Sequence, residues 1–208
     1  MIKETSPFPG SGGPPGDGAG IRILGVDPGI GATGFGVIEI APRGSILYLG
    51  SGVFRPRPQQ PFPRRIQHIF HGLCQQIKIF TPNLIAVERP FLAKNVKSAM
   101  LLGQARGVAI LAAAEAGVEV QEFSPLEVKQ AVVGYGRAAK EQVQVMIRVL
   151  LHPPLKLTAD AADALAVALC LAHSLSWQTS LNALERKRFF PKAPGPVRAK
   201  NLVLRGSR

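Results

Sequence analysis

At 208 residues and 46% hydrophobic content, the chain is long enough for one well-buried core and short for two independent ones. Its 25 Lys and Arg against 13 Asp and Glu give a formal charge of +12, which favours phosphate-rich partners over acidic ones without separating DNA, RNA and a membrane surface. Apolar stretches are interrupted by charge or are short and Ala-rich, so no secretory signal or bilayer span is expected, and Cys74 and Cys170 lack the paired spacing of zinc sites. A cytoplasmic protein with two buried, reduced thiols follows.

Residues 1–20 are dominated by Gly, Pro and Ser, cannot build a core, and read as a disordered leader. Ile21–Asp27, Thr33–Ile40 and Ile46–Phe54 are rich in β-branched and apolar residues separated by Gly-containing turns, which predicts three consecutive antiparallel strands. After Pro61 and Pro63, apolar residues Ile66, Ile69, Phe70, Leu73, Ile77 and Phe80 recur at helical spacing. Leu84–Glu88 is then a short buried strand, residues 96–116 a helix with Gly103 and Gly107 on one face, and residues 118–123 another strand. Helices are predicted over 125–132, 138–151 and 159–175, parted by a GYG turn and by HPPLKLT.

The order βββαβαβ followed by helices predicts an α/β fold, a mixed five-stranded sheet with helices packed on it, over residues 21–175. Residues 176–208 carry eight basic residues against one acidic and read as a basic, flexible tail.

Within this basic chain, four acids stand in apolar runs where a carboxylate is costly unless a counter-charge or metal meets it. Asp27 ends its strand because Pro28 and Gly29 turn the chain away, and Glu88 ends its own run just before Pro90. If those strands are parallel neighbours, the two carboxylates meet at one sheet end. Asp160 and Asp163, one helical turn apart, would join them from a helix. Oxygen-only ligands suit Mg2+ or Mn2+ rather than zinc, and two ions in such a cluster serve phosphodiester hydrolysis. Taken singly, Asp-Pro-Gly is an ordinary turn and Asp-x-x-Asp an ordinary helix start. Their joint placement in apolar runs is what points to a site.

The blocks GVDPGIGATGFG (residues 25–36), ERPFLAKN (88–95), LLGQARGVA (101–109), KQAVVGYGRAAKEQV (129–143) and ADAADALAVAL (159–169), in this order, resemble the RuvC-type Holliday junction resolvases of bacteria. The resemblance covers residues 21–175 and implies an RNase H-like fold with helices on both faces of the sheet. It also implies a homodimer and Mg2+-dependent symmetrical nicking of four-way DNA junctions in recombination and repair. Carried across, Asp27, Glu88, Asp160 and Asp163 are the metal-binding catalytic acids, Lys129 and Lys140 lie near the scissile strand, and Phe91 stacks on a base at the opened junction centre. Products with 5′-phosphate and 3′-hydroxyl ends, a branch-migration helicase complex of the RuvA and RuvB type as partner, and a place at the bacterial nucleoid are implied in the same way. The helix over 96–116 is the candidate dimer contact.

Two other classes remain open on residues alone. GVDPGIGATG would also serve an ATP-binding hairpin of the actin and sugar-kinase type, although the chain is short for two lobes and has no second phosphate hairpin. A junction-binding protein without catalysis is the other. His68 and His71 lack nearby carboxylates and are given no role, while Trp177 and the run RKRFF (residues 186–190) suit non-specific DNA contact.

Overall fold

The computed structural model describes residues 20–89, 96–154 and 156–189, with only the backbone for residues 177–189. The leader apart from Gly20, Phe91, the side chain of Trp177 and the RKRFF run, and the tail beyond Phe189 lie outside the described residues.

Strands β1 (Ile21–Asp27), β2 (Thr33–Ile40) and β3 (Ile46–Phe54) have the expected bounds and pair antiparallel, because the short turns between them permit only hairpins. Helix α1 (Phe62–Phe80) carries the chain across to β4 (Leu84–Glu88), and helix α2 (Val96–Glu115) carries it on to β5 (Glu119–Phe123). Crossovers of this length allow parallel pairing, so the sheet order is β3-β2-β1-β4-β5 with β1, β4 and β5 parallel.

Strand pleating then sorts the core into two layers. Leu24, Val26, Val37, Ile85 and Val87 face α1 and α2, where Ile69, Leu73 and Ile77 of α1 supply the buried stripe. Ile23, Ile38 and Ala86 face the opposite side, covered by α3 (Pro125–Val133), α4 (Lys140–Leu151) and α5 (Ala159–Phe189). Helix α5 lies between the sheet and α3 and α4, so Leu165, Val167, Leu169 and Leu171 are all buried and the segment has no polar stripe. Each such side chain contributes roughly 1.5–3 kcal/mol of burial.

What lets α5 lie so low is missing side chains on the sheet. A Cβ on Gly34 would stand 2.0 Å from the Asp160 carbonyl oxygen, and one on Gly25 2.1 Å from that of Ala164. Gly25 is paired with Gly36, whose own Cβ would strike Leu165. Three glycines of this hairpin, Gly25, Gly34 and Gly36, therefore seat a helix.

Besides one-residue shifts at the ends of α2, β5 and α3, four expectations change. Helix α5 runs on to Phe189 instead of ending at Leu175, since residues 176–189 contain neither Gly nor Pro and the first breaker is Pro191. Helix α4 begins at Lys140, two residues late: Ala139 is extended and its N–H donates to the Gln142 side chain at 2.8 Å. Cys74 is half-buried rather than buried, while Cys170 is buried and its thiol is pushed up to about 12 by burial. By length and composition, Val96–Glu115 and Ala159–Ser176 do reach the apolarity of a bilayer span, yet the second is the core helix of this fold.

Candidate active site

Because Ile23 faces α5, so do Gly25 and Asp27 along β1, and because Ala86 faces α5, so does Glu88 along β4. Val26 is in register with Val87, which sets Asp27 and Glu88 side by side at the strand ends. The turn after Asp27 is closed by Thr33, buried, whose hydroxyl donates to the Gly29 carbonyl at 2.7 Å and accepts from the Gly29 N–H at 3.3 Å. The Asp27 backbone is thereby held where the strand delivers it.

The two carboxyls share a hydrogen bond, and burial followed by the Asp27 charge pushes Glu88 up to about 8. Asp27 is also raised, by burial first, with the Glu88 hydrogen bond pulling against it. At neutral pH the pair therefore retains a proton in the absence of a cation. Asp163 reaches the same place from the first turns of α5, and Lys140 donates to it with Nζ 2.5 Å from Oδ2. Both partners of that bridge titrate high. Burial outweighs the lysine at Asp163, whereas at the half-exposed Lys140 the hydrogen bond to Asp163 outweighs burial. A lysine in the first turn of a helix opposes the helix dipole, and Asp163 offsets that cost.

Asp27, Glu88, Asp163, Lys129 and Lys140 line one open cavity of about 310 Å³, with Val128 and Val143 among its apolar walls. Three of the four expected acids and both expected lysines thus come together. Asp160 does not line the cavity; its Oδ2 accepts from Arg55 Nη2 at 2.6 Å, although its charge is still felt at Asp27 and Lys140. With Asp160 and Asp163 drawn onto Arg55 and Lys140, no group of three or more His, Cys, Asp or Glu among the described residues stands close enough together to hold a metal ion. His68 and His71 are exposed on α1, across the sheet from the acids.

Sequence reasoning missed Arg55. Its signal was present, since β3 ends in register with the start of β2 and so delivers Arg55 to the same sheet end as Asp27. Also missed was the capping box of Ser124 and Glu127 that starts α3, the helix that carries Lys129.

A mixed sheet in this order, with acids at the ends of β1 and β4 and on a helix laid across them, defines an RNase H-like fold of the kind found in Holliday junction resolvases. The family model for crossover junction endodeoxyribonuclease RuvC matches residues 23–171, and the chain belongs to that family. It is 46% identical over 164 residues to the RuvC crossover junction endodeoxyribonuclease of Geobacter metallireducens, covering 79% of this chain and 99% of that one. It is 52% identical over 154 residues to that of Syntrophotalea carbinolica, covering 74% and 94%. Among solved structures, T. thermophilus RuvC in complex with a Holliday junction substrate superposes with TM-score 0.71 at 35% identity, over 76% of this chain and 97% of that chain. The yeast mitochondrial Holliday junction resolvase Ydc2 shares the fold with TM-score 0.59 at 14% identity, over 82% and 85%.

Proposed function

We propose that this chain is a divalent-metal-dependent crossover junction endodeoxyribonuclease that resolves Holliday junctions by nicking two strands symmetrically. The observation that carries the reading is the cavity in which Asp27, Glu88 and Asp163 meet Lys129 and Lys140. Its donor chemistry fits a hard cation: all oxygen, partly buried, held protonated up to about pH 8 at Glu88 by burial and the Asp27 charge, and already drawing Lys140 and Arg55 onto the other two acids. Asp27, Glu88, Asp160 and Asp163 would hold Mg2+, replaceable by Mn2+, with two ions per site. Bound there, such ions supply Lewis acidity, lowering the pKa of water and neutralising charge on the phosphoryl oxygens.

The chain's own groups do the rest. The phosphodiester is hydrolysed by in-line attack of water, leaving 5′-phosphate and 3′-hydroxyl ends. Lys140, at the cavity wall, offsets the charge that develops on the phosphorus oxygens, and Lys129 holds the strand through a neighbouring phosphate. Phe91, three residues beyond Glu88, stacks on a base of the opened junction. Two copies are needed for paired cuts, and α2 supplies the contact. Val96, Met100 and Leu111 are exposed, open space lies over Gly103 and Gly107, and these five positions share one face opposite buried Ala105, Ala109 and Ala112. A helicase complex of the RuvA and RuvB type is the partner, and the bacterial cytoplasm at the nucleoid is the place of action.

The test is incubation of the full chain with a synthetic four-way junction and with linear duplex, with and without Mg2+. Paired symmetrical cuts confined to the junction and dependent on the ion are expected. Cutting without a divalent ion, or equal cutting of linear duplex, overturns the assignment.

A further inference from the structure

Arg55 follows the last residue of β3, and what surrounds it is rigid. Phe54 stacks on Phe35 with centroids 5.0 Å apart and planes at 18°, and Pro56 is buried. From that base the guanidinium reaches across the end of the sheet to Asp160 in the first turn of α5. Two independent features mark this pair. Asp160 is the only one of the four acids held by a group from outside the cavity lining, and it is also the one that does not line the cavity. Lys140, by contrast, meets Asp163 within the cavity.

We propose that Arg55 is a positioning residue that holds Asp160 in the ion-free protein and competes with the divalent cation for that carboxylate. This rests on the reading of Asp160 as a metal ligand. A guanidinium 2.6 Å from one carboxylate oxygen satisfies much of that oxygen's charge. Loading a cation beside it therefore requires the bridge to loosen, because two positive centres on one carboxylate repel. Arg55 is 58% exposed, so release does not strand it in the core. Freed, it remains at the sheet end where substrate phosphates arrive, so an anion drawing Arg55 outward and a cation taking Asp160 favour one another. The ion-free site is kept charge-balanced and folded, and becomes metal-hungry as DNA engages it.

Binding of Mn2+ to the DNA-free full chain, followed by electron paramagnetic resonance of the free ion, tests this without reference to cleavage. Breaking a half-exposed ion pair should tighten Mn2+ binding roughly two- to fivefold in Arg55→Gln. Arg57→Gln removes the same charge from the same loop and should change affinity by less than about 1.5-fold. Asp160→Asn should weaken binding, and adding Arg55→Gln to it should then change nothing. Unchanged or weaker binding in Arg55→Gln, an equal gain in Arg57→Gln, or a gain that persists without Asp160 overturns the proposal. If Asp160→Asn binds Mn2+ normally, both the proposal and the ligand role of Asp160 fall. If Asp160→Asn weakens binding but Arg55→Gln does not tighten it, the proposal alone falls.

Discussion

The buried pair of Asp27 and Glu88 should make the metal-free protein less stable as pH rises, and Glu88→Gln should remove that dependence. In the folded chain Glu88 titrates at about 8 against an ordinary 4.5, so between those values the folded state holds a proton that the unfolded state has lost. Stability therefore falls with rising pH across that window and is flat above it. That rise corresponds to an upper bound of about 5 kcal/mol. Sharing of one proton with Asp27, and water in the open cavity, reduce this to about 2 kcal/mol. Glutamine keeps a donor for Asp27 and carries no charge at any pH. Urea unfolding of metal-free protein at pH 5 and pH 8.5 should show the wild type losing about 2 kcal/mol more than Glu88→Gln. Saturating Mg2+ should restore the wild type at pH 8.5, since the ion binds only the folded state. Equal pH slopes in the two proteins would refute the argument that these carboxyls are forced together by the fold and await a cation.

The other predictions concern parts of the same machine. Gly34→Ala should destabilise the fold by about 1–3 kcal/mol, because its Cβ would meet the Asp160 carbonyl; a thermal melt unchanged within 1 °C would contradict the helix seat. Lys140→Ala should leave the far-ultraviolet circular dichroism intact and slow junction cleavage roughly 100-fold, and a cleavage rate within twofold of wild type would remove the lysine from catalysis. If two copies pair through α2 as proposed, Met100→Glu should leave the chain monomeric by sedimentation velocity, with cleavage confined to single unpaired nicks; a variant that still dimerises would move the interface off α2. Glu122, bridged to Arg106 with Nη2 2.6 Å from Oε2, is held below the ordinary carboxylate range by that bond. Its contribution of about 1 kcal/mol is present above pH 4.5 and lost as pH falls through the lowered value, so in urea unfolding the cost of Glu122→Gln should be greatest at pH 7 and shrink as the pH is taken below 4.5; a cost that does not change with pH would contradict it.

The strands were legible because their signals are local. β-branched runs bounded by glycine turns give β1, β2 and β3 to the residue, and the parity of the pleat then puts Asp27 and Glu88 on one face once β1 and β4 are neighbours. Angles around a helix that must settle onto a sheet were less legible. Asp160 and Asp163, three residues apart, differ by about 60° around the axis. That is enough for one to enter the cavity and the other to reach Arg55 at its rim. Which of them does so is decided by how α5 rests on Gly25, Gly34 and Gly36, a contact between segments more than 120 residues apart. The strand ends signalled where Arg55 lies but not which acid it meets: its partner is 105 residues away, and FRPRP alone looks like a basic loop. Local pattern therefore names the acids, but only the helix seat determines which cation each one faces. Substitutions in that seat should disturb metal loading before they disturb the sheet.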